Sequence, residues 1–252
     1  MTAPIALQLY TLREAAAEQG FETIVRQVAE MGYVGVEPAG FPGTTPEAAG
    51  KLFRELGLAV PSAHVALPVG DAKNEVLDTM AAIGSTMIVS GKGPADFETL
   101  DKIKTTCELF NEASANAQAA GMSFGVHNHW WEYLKVGDRY AYEIMLDLVD
   151  PAITFEIDTY WVQVAGPNPA EIVAQMGARS PLLHIKDGPA NRQDPMQPIG
   201  SGVLDWPTIV QAGGSHTEWL IVELDRCAMD MVEAVQQSYD YLVGEGLARG
   251  NR

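Results

Sequence analysis

Eight short apolar runs alternate along this chain with segments of helical periodicity, and that alternation restricts the fold more than any other feature. The runs cover residues 5–10, 33–37, 60–65, 86–90, 123–128, 153–158, 181–186 and 219–223. Between them, apolar residues recur at helical spacing over 21–31, 46–56, 73–83, 97–120, 140–149, 169–176 and, after the last run, 229–242. The connection before the last run offers only a short helix over 206–211. Gly32, Gly57, Gly84, Gly121 and Gly177 each follow a helical segment and precede a strand, where a helix C-cap calls for positive φ. A strand, a helix and a second strand in the same direction form a right-handed crossover, and eight such units close on themselves. The expectation is an α/β protein, a single (β/α)8 TIM barrel over residues 1–252. An open doubly wound sheet would be favoured by a glycine-rich turn after the first strand, and LQLYTLRE has none.

Composition narrows the partners. The 252 residues are 47% hydrophobic, enough for one large core. Lys and Arg number 16 against 33 Asp and Glu, a net charge of -17, and a field of that sign repels phosphate backbones and anionic lipid. Nucleic acid and membrane surfaces are therefore not expected partners. Cys107 and Cys227 are too few for a disulfide framework or a cysteine zinc site, and no secretory apolar segment follows Met1. A cytoplasmic location is expected. One loop, 187–205 (DGPANRQDPMQPIGSGVLD), is long and rich in Gly, Pro and Asn, as a lid or clamp at a barrel mouth would be.

On a barrel strand alternate side chains face the interior, so residues of one parity share the pocket. This pairs His127 with His129, Glu156 with Asp158, His184 with Lys186 and Glu223 with Asp225; strands two and three add Glu37 and His64, and Tyr10 closes strand one. Four of the chain's five histidines fall at the carboxyl ends of these strands, the end where barrel enzymes build their sites. Imidazoles and carboxylates gathered in this way can hold a divalent cation, such as Mn, Co, Mg, Fe or Zn, with positions left for substrate oxygens. A cation on a sugar carbonyl polarises it, acidifies the adjacent C–H and stabilises the resulting enediolate. Glu223, His129, Lys186 and Glu37 are the candidate catalytic groups for moving the proton. Tyr10, His64, Asn128, Glu132, Trp161 and Asp187 are the candidate substrate-binding residues, Trp161 as the wall for a sugar's apolar face. Lys186 is expected to stay charged, either on a substrate oxygen or in a salt bridge to Glu156. Bases near strand ends are few and no phosphate-cradling loop appears, so a free sugar is expected over its phosphate.

The segments LQLYTLRE, GYVGVE, PSAHV, VHNHWWEY, EIDTYWV, LLHIKDG, PIGSGVLDW and LIVELD, in this order over nearly the whole chain, resemble the sugar phosphate isomerase/epimerase group of the xylose isomerase-like TIM barrels. H-N-H-x-x-E on strand five and H-x-K-D on strand seven are the most specific parts. The resemblance implies a divalent metal held by His127, Asp158, His184 and Glu223, and a metal-dependent isomerase or epimerase acting on a small sugar or keto-sugar. An inosose-dehydratase-like lyase, expelling a β-hydroxyl from the same enolate, is the alternative it carries, with a non-catalytic sugar-binding barrel behind. A homodimer would be unsurprising for the group. Strand five departs from the pattern, because many relatives have a glutamate where this chain has His127, and in epimerases that glutamate is also a proton-transfer base. His127, His129 and Glu132 thus stand as alternatives for the strand-five ligand. Trp161 stands where some epimerases keep a substrate-binding histidine.

Overall fold

The structure, a computed structural model, describes residues 2–251. Its eight barrel strands are β1 (Ile5–Gln8), β2 (Gly35–Glu37), β3 (Ala63–His64), β4 (Met87–Ser90), β5 (Ser123–His127), β6 (Thr154–Asp158), β7 (Leu182–Ile185) and β8 (Trp219–Val222). They form one parallel sheet in the order β2-β1-β8-β7-β6-β5-β4-β3. The seam between β2 and β3 is closed by Ala59, which accepts from Val36 N at 2.9 Å and donates to Val34 O at 3.0 Å. The barrel expected from the apolar runs is therefore present, nearly closed, with helices between the strands.

Local chemistry explains where elements differ from expectation. Strand β1 stops at Gln8 because the Gln8 side chain accepts from Tyr10 N at 3.1 Å and turns the chain into a 3-10 segment, Leu9–Leu12. Tyr10 leaves the strand as a result; it is 43% exposed, with the Arg13 guanidinium 4.1 Å from its ring centre. The helix expected over 97–120 is divided: a 3-10 turn, Pro94–Phe97, precedes Leu100–Ala119, which Thr99 caps by accepting from Lys102 N. A short helix, Thr159–Ala165, follows β6 directly, with the Asp158 carboxylate accepting from Trp161 N at 2.9 Å as its cap. The five glycines marked as helix ends all have positive φ, from +51° at Gly177 to +106° at Gly32.

The barrel interior is stacked in layers. At the amino-terminal end Ala6, Val89, Leu182 and Ile221 form a small apolar cluster with Met87 and Trp219, separate from the main core between sheet and helices. Gly35 makes room for Trp219 there: a Cβ on Gly35 would lie 2.7 Å from the indole. Two residues along each strand, at the same parity, the apolar plug gives way to Gln8, Glu37, His64, His127, Glu156 and His184. One further step brings His129, Asp158 and Lys186, and on β8 Glu223 follows Ile221 directly at the same parity. The register puts Asp158 beside His184 and His127 beside Glu156.

The 187–205 loop is tied to its own first residue. Asp187 is fully buried, and its carboxylate accepts from Gly188 N (2.8 Å), Gly200 N (2.9 Å), Leu204 N (3.3 Å) and Trp206 Nε1 (2.8 Å). Met196 and Ile199 are buried under the loop, whereas the tip beyond Gly188 lies out toward solvent. There Arg192 rests on the Trp130 ring at 4.3 Å, and Arg226 donates to Arg192 O at 2.5 Å and Asp194 O at 3.2 Å. No helix among the described residues is long and apolar enough to cross a membrane.

Candidate active site

Strand ends β5 to β8 bring four donor atoms together. His127, Asp158, His184 and Glu223 are all buried, and their ligand atoms lie within 4.8 Å of one another. Glu223 Oε2 is 2.8 Å from His184 Nδ1, and Asp158 Oδ2 is 3.9 Å from His127 Nε2. Ligands about 2.1 Å from a divalent ion lie about 3 to 4.2 Å apart, so the set matches an ion after a contraction of under about 1 Å. Asp158 Oδ2 is buried and accepts no well-directed hydrogen bond, although the Lys186 ammonium lies 3.0 Å away. A buried acceptor left open among imidazoles and carboxylates is what a cation would use, and this group could hold a metal ion.

Lys186 sits at the centre of the acidic side. Its Nζ is 2.7 Å from Glu223 Oε2, 3.0 Å from Asp158 Oδ2 and 3.1 Å from Asp225 Oδ2, and it is 5.7 Å from the centre of the Trp161 ring. Burial works against its charge, but the three carboxylates hold its pKa well above the ordinary lysine value. The salt bridge open to Glu156 in the sequence is thus made to Asp158, Glu223 and Asp225 instead.

One layer deeper, Glu156 Oε2 receives three imidazoles: His64 Nε2 at 2.6 Å, His127 Nδ1 at 3.1 Å and His184 Nε2 at 3.1 Å. Burial would push Glu156 up, but the charges of His184 and His64 hold it well below the usual carboxylate range. Glu37 Oε1 lies 2.7 Å from His184 Nε2 and accepts from Gln8 Nε2 at 2.6 Å, and Glu37 Oε2 accepts from Ser62 Oγ. Burial, then the neighbouring Glu156, raises the Glu37 carboxyl. His184 resists its burial because Glu156, Glu37 and Glu223 surround it, so its pKa stands well above the ordinary histidine value. His127 is driven the other way by burial and stays neutral.

This layered cluster belongs to a recognisable lineage. The sequence profile of the xylose isomerase-like TIM barrels matches residues 25–242. The chain belongs to that family. Among solved structures, a sugar phosphate isomerase/epimerase from Parabacteroides distasonis superposes with a TM-score of 0.82 over 99% of this chain and 96% of its own, at 24% identity. An L-ribulose 3-epimerase superposes at 0.75, with 97% and 94% covered and 14% identity. The IOLI protein, which carries a bound zinc atom, superposes at 0.74, with 97% of each chain covered and 16% identity. No curated protein matches the chain at the sequence level.

Other expected site residues of this xylose isomerase-like barrel fall into three groups. His129, Glu132 and Trp161 line the approach from β5 and β6. His129 stacks on Trp131 with ring centres 4.2 Å apart, and its Nδ1 is buried without a partner; burial, then Lys186, lowers it to about 3. Glu132 accepts from His129 N at 2.8 Å through Oε2 and leaves Oε1 unpartnered, and burial pushes its carboxyl up to about 8. Asn128 is a bracket for β6, accepting from Asp158 N at 3.0 Å and donating to Asp158 O at 3.3 Å.

A second group lies in the cluster with its atoms already engaged. Glu37 is fully buried, with Oε1 facing Gln8 and His184 and Oε2 accepting from Ser62. His64 remains partly exposed at the cluster's edge, stacked on His184.

Two residues stand elsewhere than expected. Tyr10 is on the outer lip, and the β1 residue that reaches the cluster is Gln8. Asp187 points into its loop, where all the donors it accepts from lie between Gly188 and Trp206. Gln8 and Ser62 were not among the candidates, yet Gln8 is two residues from Ala6 on one strand and so faces the same interior. A cavity of about 360 Å³ opens beside the rim, lined in part by Thr11, Arg13, Asp225 and Arg226, and it meets the cluster at the Asp225–Lys186 pair.

Proposed function

We propose that this chain is a divalent-metal-dependent isomerase or epimerase of a sugar or keto-sugar, working by proton transfer next to a carbonyl. The observation that carries the reading is the convergence of one donor atom each from His127, Asp158, His184 and Glu223 within 4.8 Å of one another, beside a charged lysine. The sugar epimerase and the zinc-bearing IOLI protein among its structural relatives support the same class. A divalent ion in that place supplies a Lewis acid for a carbonyl oxygen and its neighbouring hydroxyl, so that the C–H between them loses its proton more readily.

This chain's residues do the rest. Lys186 offers an N–H to a substrate oxygen that gains negative charge, without giving up its own proton. His129 is neutral, with a buried, unpartnered Nδ1, and its low proton affinity suits a transient relay of the proton rather than a resting base. Trp161 and the His129–Trp131 stack form an apolar wall that orients a sugar ring and excludes water. Few basic groups other than Lys186 reach this volume, which supports a free sugar over a phosphate ester.

A second reading, a lyase that expels a β-hydroxyl, has one observation in its favour. Glu132 is a buried carboxyl that holds its proton up to about pH 8, and a leaving hydroxyl needs such a donor. Incubation with ketoses and keto-inositols in heavy water separates the two. Deuterium at a carbon next to the carbonyl without loss of water supports the isomerase, and an unsaturated product supports the lyase. Both activities should vanish in Asp158→Ala and Glu223→Ala and after chelation. Full activity in metal-free protein would refute the metal role, and a phosphate ester turned over markedly faster than its free sugar would refute the substrate class.

A further inference from the structure

We infer that Glu156 and Glu37 are positioning residues that decide which nitrogens of His127 and His184 face a cation, an inference that rests on the metal reading above. A neutral imidazole has one N–H and one lone pair, so a ring that ligates through one nitrogen carries its proton on the other. His127 turns Nε2 toward Asp158 and His184 turns Nδ1 toward Glu223, both on the rim side. Their remaining nitrogens point down the barrel to acceptors. His127 Nδ1 lies 3.1 Å from Glu156 Oε2, and His184 Nε2 lies 2.7 Å from Glu37 Oε1 and 3.1 Å from Glu156 Oε2. An ionised carboxylate can only accept, so Glu156 keeps the His127 proton on the deep nitrogen and leaves Nε2 free to ligate. His184 faces carboxylates at both nitrogens, and its proton toward Glu223 is the one an arriving cation would displace while Glu37 and Glu156 hold the deep one.

A second grouping, His64, His127, Glu156 and His184, also has its donor atoms within 4.8 Å. It would need the opposite nitrogens of the same two rings. The two positions therefore exclude each other unless a ring gives up both protons. The deep position is the one already filled by N–H groups: Glu156 Oε2 faces three imidazole nitrogens, and Glu37 is clamped by Gln8 and Ser62 so that its carboxylate cannot turn away. A cation therefore belongs at the rim, and strand β6 contributes to it twice, through Asp158 as ligand and through Glu156 by way of His127.

Zinc competition with a chromophoric chelator, on metal-free wild type and Glu156→Gln, tests this together with long-range ¹H–¹⁵N spectra of the histidine rings. Removing an outer carboxylate of this kind weakens metal binding by about 10- to 100-fold. That loss is expected in Glu156→Gln, with an unchanged circular dichroism spectrum, and Glu37→Gln should weaken zinc in the same direction. Zinc-loaded wild type should show His127 protonated at Nδ1 and His184 at Nε2. Equal zinc affinity in wild type and Glu156→Gln would overturn the inference while leaving the metal reading intact. So would loaded rings protonated at the opposite nitrogens, a measurement on wild type that does not depend on any variant folding. A wild type that takes up no zinc or other divalent ion would overturn both.

Discussion

The ammonium of Lys186 lies 2.7 Å from Glu223 Oε2, on the same carboxylate oxygen that faces His184 Nδ1. One oxygen thus meets a fixed cation from the chain and a nitrogen that could bind a mobile one. The electrostatics of the rim follow from that sharing. Lys186 balances Asp158, Glu223 and Asp225 in the absence of an ion, and repels an ion that arrives among them.

Replacing Lys186 with methionine should separate binding from turnover. Loss of a like charge a few Å from the ion is expected to tighten divalent-metal affinity at least about tenfold, since such a charge is worth a few kcal/mol in a partly buried site. If Lys186 has the proposed role toward a developing oxyanion, turnover should fall by about 100-fold or more. Metal titration beside steady-state kinetics checks both; a variant with weaker metal binding would show that Lys186 supports the ion instead of opposing it.

Asp187→Asn should loosen the loop without touching the cluster. The carboxylate accepts from four buried donors, and an amide NH2 in place of one oxygen faces N–H groups it cannot satisfy. With each unsatisfied buried group costing about 1 to 3 kcal/mol, a loss of about 3 kcal/mol or more is expected in urea unfolding. Gly202→Ala should act in the same direction, because its Cβ would collide with Asp187 Oδ1 and Gly188 N. Limited proteolysis should cut both variants first between 188 and 205.

Glu132 gives a pH signature. Its carboxyl is at about 8 in the folded chain, raised by burial, against about 4.3 in an unfolded one. Between those values the folded state keeps a proton that the unfolded state has lost, so this group's contribution is complete below about pH 4.3 and fades as pH rises toward 8. Glu132→Gln cannot ionise. Its stability relative to wild type should therefore climb from about pH 5 to about pH 8.5, by on the order of a few kcal/mol. Thermal melts of both proteins across that range check it, and a constant difference would show that Glu132 ionises normally.

The two thiols should behave differently. Cys107 is buried in the long helix after β4, and burial pushes its thiol up to about 12, whereas Cys227 is partly exposed. A thiol reagent at neutral pH is expected to label Cys227 in the native protein and to reach Cys107 only after unfolding. Rapid reaction of Cys107 would mean the helix opens far more readily than its packing implies.

Much of this architecture could be read from residue order alone, because the physics involved is local. Apolar runs of strand length, the five C-cap glycines and the parity of strand residues all act within a few positions, and they led to eight strands and to a rim holding Asp158, His184, Lys186 and Glu223. What escaped reading involves groups far apart in sequence. Gln8 looked like an ordinary strand residue until Glu37, 29 positions on, met its amide. Ser62 lies within a run expected as strand, but only two residues of that run pair, and its hydroxyl serves β2 instead. Asp187 follows H-x-K directly, which made it a natural substrate ligand. Three of the four donors that claim it come from a loop with no periodicity to betray its path, and the fourth, Trp206, from the helix that follows. Glu156 was visible by parity, yet nothing short of the assembled barrel shows three imidazoles meeting on one of its oxygens.

The tether between Asp187 and both ends of its loop has an evolutionary corollary. Since residues 196–206 are anchored to that one side chain and to buried Met196 and Ile199, the stretch beyond Gly188 can be lengthened, shortened or exchanged with little disturbance to the scaffold. Sequence change could therefore act on Arg192 and its neighbours alone, leaving the cluster beneath inherited intact.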